Sequence, residues 1–392
     1  MMLLYLRKSS AFLLLVGVLA AITGGCQPPW ESDEVVLDVP RVDPAKVQQD
    51  AIIVLQHAAE DDVATTRFIA LEVIPAALGA RGGAICKQAL DDPSPEVRTA
   101  AAMGLGDLRY SAAKEKLQRM AKYKVQGAEP DARTYCAVLY ALHRLGDEAR
   151  TTNLGTLLFD REKEVRAAAA IVMGRMKLRA AISPLKSAIV DERDHDLKFE
   201  LTRALARCGD KGSMRRIEAH TRDRFVDEQI IAVRAMQELE SPMCRAIFSS
   251  LVIKDRSPRV KIVAAGALAS FGYETPELFT MCVRAAMEPR AVMSEALGGG
   301  QRPTDKQVNF LQSLAATAAG EFKHPQALDV VAGLLKSSDP GVRVAAAAAI
   351  LKAVPQLARP PAVSKKKVVP VSPARTKPAI KRPKLHTAGG KD

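Results

Sequence analysis

One phrase recurs down this chain at a near-constant interval, and that recurrence limits the fold more than any other feature. Its clearest copy, DDPSPEVRTAAAMGLGDL over Asp91–Leu108, is an acidic turn followed by Ser94-Pro95 and an apolar stripe. Ser is a residue type that caps a helix start, and Pro suits the first helical position, where the missing N–H costs nothing. Val97, Ala101, Leu105 and Leu108 then fall on one face of a 3.6-residue helix. Stripes of the same kind begin near Thr134, Val165, Leu197, Glu228, Val260, Val308 and Val342, at spacings of 37, 31, 32, 31, 32, 48 and 34 residues. One helix pair cannot bury its own apolar face, so a period of this length predicts pairs that lean on one another in a stack.

The fold class expected is therefore all-α, a right-handed α-solenoid of stacked antiparallel helix pairs over residues 44–358. Composition agrees, because 48% of the 392 residues are hydrophobic and only 4% aromatic. A core of Ala, Leu, Val and Ile suits close-packed helices. Gly104, Ala141, Ala204, Ala235, Ala267 and Ala349 share one register, where neighbouring helices should approach closely. Pro44–Leu78 reads as an N-terminal capping pair. The 48-residue interval exceeds its neighbours by about half a repeat. Its excess falls at Glu288–Thr304, where Gly298, Gly299, Gly300 and Pro303 break helices, and reads as an inserted loop, either a connector or part of a binding face.

The copies FDREKEVRAAAAIVMGRM from Phe159, KDRSPRVKIVAAGALASFG from Lys254 and SSDPGVRVAAAAAILKAV from Ser337 carry a family likeness. They resemble HEAT repeats, in particular the short HEAT-like repeats of phycocyanobilin lyases. The resemblance implies that Val97, Val165, Val260 and Val342 are buried, with Arg98, Arg166, Lys261 and Arg343 as the adjoining bases. It also implies that Asp92, Asp160 and Asp255 sit in turns beside a neighbouring base, forming a ladder along the stack. Leu197 and Lys198 match the pattern as well. Tyr135 and Gln229 replace the base, so the ladder is expected to lapse there. A bilin-lyase-like enzyme is a minor functional alternative under this resemblance, since repeats define a fold and not a chemistry.

The N-terminus reads as a secretory signal over residues 1–25: Arg7 and Lys8, then an apolar run from Ala11 to Ile22, then small residues before Cys26. The run is shorter than the roughly 20 residues of a spanning helix. Small residues directly before a Cys resemble the bacterial lipobox, which implies a lipid on Cys26 and a cell-envelope location. Gln27 in place of Asp after it favours the outer membrane. Residues 26–43, rich in Pro and acids, read as a tether.

The remaining cysteines, Cys86, Cys136, Cys208, Cys244 and Cys282, form no C-x-x-C pair and imply neither a disulfide nor a zinc framework. Cys208 reads as a small buried hydrophobe. The polar run Asp191, Glu192, Asp194, His195 and Asp196 could bind a cation, but it also falls where each repeat places its acidic turn, where capping accounts for it. His57, His143 and His220 are scattered, with no partner visible in sequence. No catalytic motif, metal site or cofactor is assigned.

Arg144, Arg175 and Arg207 occupy one register position in successive repeats, with Arg203 and Arg234 in a second row one turn earlier. Equivalent positions line up in a solenoid, so these cations either face an acidic protein partner or offset their helices' negative ends. The rows stop at Asp107 on one side and Glu238 on the other.

From Arg359 the composition changes. Residues 359–392 hold ten Lys and Arg, six prolines, no aromatic residue and one acid, Asp392. Such a stretch cannot build a core and reads as a disordered tail. Lys365, Lys366, Lys367, Arg375, Lys377, Lys381, Arg382 and Lys384 suit a polyanion, with binding that falls steeply with salt. Export would make that target an anionic wall polymer, lipopolysaccharide or lipid surface; without export, nucleic acid is the candidate. The functional expectation is a non-catalytic protein-interaction scaffold tethered to the envelope. The alternative is a polyanion-binding protein that acts mainly through its tail.

Overall fold

Each repeat unit is set locally by how its second helix starts and stops. Ser94 accepts from the Val97 N–H, Asp194 from the Leu197 N–H at 3.0 Å and Asp339 from the Val342 N–H at 3.0 Å, so polar turn residues cap three of these starts. The stops are more uniform. Arg109, Gly146, Lys177, Gly209, Glu240 and Gly272, at or just beyond the helix ends, all have positive φ, between 49° and 98°. Their spacing repeats the motif period, so the same left-handed stop is stamped on six successive units.

The computed structural model describes residues 39–122, 131–298 and 301–357. The first helices of the pairs are α1 (Pro44–Ala59), α3 (Ala80–Ala89), α5 (Lys114–Lys122), α7 (Asn153–Leu157), α9 (Ile182–Asp191), α11 (Lys211–His220), α13 (Cys244–Lys254), α15 (Pro276–Met287) and α18 (Ala327–Gly333). The second helices are α2 (Ala64–Leu78), α4 (Pro95–Leu108), α6 (Ala132–Arg144), α8 (Lys163–Met176), α10 (His195–Arg207), α12 (Val226–Glu238), α14 (Pro258–Ser270), α17 (Asp305–Ala319) and α19 (Pro340–Leu357). An extra helix, α16 (Pro289–Ala296), follows α15. The described residues are thus an all-α solenoid of helix pairs.

Second helices pack on one another in order from α2 to α10 and again from α12 to α19, whereas first helices pack chiefly within their own pair and on an adjoining second helix. The stack therefore curves with the second helices on its inner side. The inner row also closes on itself: α19 packs on both α1 and α2, and the Val42 N–H donates to Asp329 Oδ1 at 2.9 Å across 287 residues. This corrects the capping-pair expectation, because the flank of α1 and α2 is covered by the last helix. One joint in the row differs. Between α10 and α12 the backbones make the sparsest contact of any inner neighbours, and polar side chains bridge the gap.

Close approach in the row depends on small residues. The Cα of Ala204 lies 2.7 Å from where a Cβ on Gly174 would sit, and that of Ala141 lies 3.0 Å from one on Gly106. Gly104, Ala141, Ala204, Ala235, Ala267 and Ala349 are all buried, as their shared register predicts.

The acid–base ladder forms only in part. The Asp160 carboxylate accepts from the Glu162 N–H and meets no base among the described residues, Arg98 and Arg343 donate to backbone carbonyls, and the rungs that do form bring in other members. Arg67 grips Asp92 with two hydrogen bonds of 2.7 and 2.9 Å, and Arg166 grips Glu192 at 3.0 and 2.9 Å. Gln229, where a lapse was expected, donates from Nε2 to Asp255 at 3.0 Å, and Asn309 donates to Asp339 at 3.0 Å. An amide donor replaces the base without loss of the rung.

The long interval is also not the loop that its glycines suggested. Eight of its residues form α16, pinned by ion pairs from Arg284 to Glu295 and from Arg290 to Asp305. The capping box of Thr304 and Gln307 then restarts the regular pattern.

Candidate interaction surfaces

The basic rows on the inner helices are mostly spoken for by partners within the fold. Arg207, 4% exposed, donates to both carboxylate oxygens of Glu238 at 2.8 and 2.6 Å, and Arg203 joins the same carboxylate at 3.0 Å. Burial works against ionisation of Glu238, yet the hydrogen bond and charge of Arg207 hold it below the ordinary carboxylate range. Arg175 reaches Asp107 at 3.2 Å, passing over α6 from α8 to α4, which requires tight curvature. Tyr140 donates to the other Asp107 oxygen; burial first, then that bond, pushes its phenol up to about 12. Arg144 donates to the Gly106 carbonyl at 3.3 Å. Asp107 and Glu238, where the rows stop, are the groups that hold Arg175, Arg203 and Arg207.

Arg234 is the exception. Its side chain is open to water and bonds no carboxylate among the described residues. Burial among surrounding atoms lowers its pKa most; Arg203 lowers it too, and Glu72 on α2 opposes them.

A second surface lies at the interrupted period. Pro258, Ile262, Pro276, Met281 and Val292 line a cavity of about 600 Å³ between the start of α14, α15 and α16, with Lys261, Glu277, Thr280 and Arg284 among its polar lining. Val292 comes from α16, so the inserted helix builds one wall. Met suits such a surface because its side chain adapts to varied partners.

The Asp191–Asp196 run divides between roles. Glu192 meets Arg166, while Asp194 caps α10 and meets Lys163 at 3.0 Å. His195 turns away from these acids to Glu228 on α12, Nδ1 to Oε1 at 3.2 Å. His220, at the end of α11, lies 3.6 Å from Asp223 and 5.6 Å, centroid to centroid, from the His195 ring. The four side chains each place one donor atom within 4.8 Å of the others. Burial first, and then the neighbouring Asp223, hold the Glu228 carboxyl above its ordinary range. Sequence reading missed this group because its members span 34 residues on three helices and the turn between two of them. The one available signal was His195 beside a full set of acids.

The five described cysteines are all buried and unpaired, so the reading of Cys208 extends to its fellows. Cys26 and the tail residues Lys365 to Lys384 lie outside the described residues. No helix among the described residues is long and apolar enough to cross a membrane.

Residues 124–206 match the model for HEAT repeats and residues 84–108 that for a single HEAT repeat. Residues 84–108 and 124–206 are thus HEAT repeats. Among solved structures it is similar to human deoxyhypusine hydroxylase, at 17% identity and a TM-score of 0.30 over 68% of this chain and 98% of that one. It is also similar to the CpcE–CpcF complex of the phycocyanin lyase of Nostoc, at 20% identity and a TM-score of 0.32 over 70% and 94%. An engineered protein aligns at 17% identity and a TM-score of 0.26 over 79% and 94%. No curated protein sequence matches the chain. Likeness at these levels carries no argument about this chain.

Proposed function

We propose that this HEAT-repeat chain is a non-catalytic protein-interaction scaffold held at the bacterial cell envelope by a lipid on Cys26. The observation that carries the scaffold reading is the cavity beside α16. A helix that interrupts an otherwise regular period, and then walls an apolar recess of about 600 Å³, is a local investment that the stack itself does not need. Its Pro, Ile, Met and Val lining suits an apolar anchor from a partner protein, and Lys261 at its edge suits an acidic neighbour of that anchor. The export reading rests on the charged start, apolar run and small residues that precede Cys26.

The test is photo-crosslinking in intact cells from a benzophenone side chain at Thr280, with the same probe at exposed Val190 as control. A discrete envelope-fraction adduct from position 280 alone supports the scaffold, and its absence refutes a partner at this recess. Fractionation of the wild type beside Cys26→Ser tests the anchor: soluble, uncleaved protein in both cases refutes it. Tail charge favours a second reading, polyanion binding through residues 359–392, which supply +9 of the net +13. Deleting the tail would then abolish salt-sensitive envelope retention while leaving the position-280 adduct in place.

A further inference from the structure

We propose that His195, His220, Asp223 and Glu228 form a four-ligand site for a divalent transition metal such as Zn²⁺, which staples α10 to α12. Two imidazoles and two carboxylates are donors such an ion accepts, and four protein ligands make the closed shell of a structural rather than a catalytic site. The distances suit it. Ligand bonds of about 2.0–2.1 Å in a tetrahedron place donors roughly 3.3 Å apart. His195 Nδ1 and Glu228 Oε1 stand at 3.2 Å and His220 Nδ1 and Asp223 Oδ2 at 3.6 Å, and each of the four side chains can offer one donor atom within 4.8 Å of the other three. Side-chain rotation closes the remainder.

Three further observations point to an ion. Glu228 Oε2 is buried and accepts from no N–H donor, and the neighbour of its carboxyl is the Asp223 carboxyl, a like-charged group whose repulsion a cation would offset. Asp223 is oriented from behind: its Oδ1 accepts from the Phe225 N–H at 3.2 Å, which leaves Oδ2 for the site. The Phe199 ring packs edge-on against His220, with centroids 4.8 Å apart, fixing the imidazole.

The location supplies a reason for the site. At this joint the acid–base ladder skips a rung, since Lys198 makes no bond to Asp223 among the described residues, and the inner helices have their sparsest contact. Arg203 and Arg207 hold Glu238 at one end of the joint, and the His–carboxylate group stands at the other.

Zinc alone is the probe, added to full-length protein stripped with a chelator. Isothermal titration should show one site, and thermal unfolding should shift upward by about 3 °C or more at saturation. Replacing the zinc with Co²⁺ should give the visible absorption of a tetrahedral nitrogen–oxygen site. His220→Asn and Glu228→Gln should each weaken binding by about a hundredfold or more and remove the thermal shift. His195→Gln serves where one of these fails to fold. No zinc binding to the wild type at about 100 μM would overturn the proposal, because a site that weak stabilises nothing at ordinary zinc levels. So would a site that survives in all the variants, or one that prefers Mg²⁺ or Ca²⁺ to zinc.

Discussion

Gly174→Ala tests the packing of the inner row most directly, with Gly155→Ala as its internal reference. Both glycines lie within helices and neither has positive φ. A new methyl at 155 meets nothing within 4 Å, whereas at 174 it would lie 2.7 Å from the Cα and 3.0 Å from the Cβ of Ala204. Ordinary carbon contacts are about 3.5–4.0 Å, so α8 and α10 must part by roughly 1 Å. The obstructing atom is backbone, so no side chain can swing aside. Overpacking of this kind costs about 1–3 kcal/mol. Both substitutions gain about 0.8–1.0 kcal/mol of helix propensity, which cancels when the two are compared. Gly174→Ala should therefore be the less stable by about 1–3 kcal/mol, while Gly155→Ala should match or exceed the wild type. Urea denaturation, with midpoints compared at constant slope, measures the difference. Agreement of the two variants within about 0.5 kcal/mol would refute the close approach of α8 and α10.

Other perturbations read other parts of the fold. Lys177→Gly relieves a left-handed residue at φ 55° and should raise stability by about 1 kcal/mol, seen as a higher urea midpoint. Asp210 has its carboxyl lowered to about 2, first by the hydrogen bond from Lys186 and then by Ser213. Its charge therefore contributes stability in full above its ordinary value of 3.8, and that contribution is lost as pH falls through about 2. The melting-temperature gap between wild type and Asp210→Asn, which keeps the helix cap, should be widest near neutrality and close towards pH 2. An unchanged gap would sink that assignment. The buried thiols should resist maleimide in the native state, since desolvation puts Cys86 and Cys136 up to about 12 and Cys208 and Cys244 to about 11. Labelling should become rapid in urea, and rapid native labelling would contradict their burial.

What could be read in the sequence was what each helix decides locally. Ser94, Pro95 and the stripe from Val97 specify a capped amphipathic helix without reference to the rest of the chain, so the repeats and their period were legible. Closure of α19 on α1 was not, because it depends on the small turn added at every joint, and no single residue encodes a sum. Arg175 and Asp107 illustrate the same limit: they are 68 residues apart, and only curvature brings them together. Gln229 shows how a motif match can be too strict, since the rung needs a donor and not a charge. His195 and Glu228 show the converse, a constellation with no spacing rule because three separate elements supply it.

Closure of the inner row changes what the chain can tolerate over evolutionary time. An open array can gain or lose a unit by duplication, because each unit knows only its neighbours. A row whose last helix must land on its first is commensurate: removing one pair leaves an angular misfit that every remaining joint must share. The extra helix α16 fits that constraint, for it enlarges one unit without adding a step to the row. Length in this chain is thus free to vary in its excursions and fixed in its count.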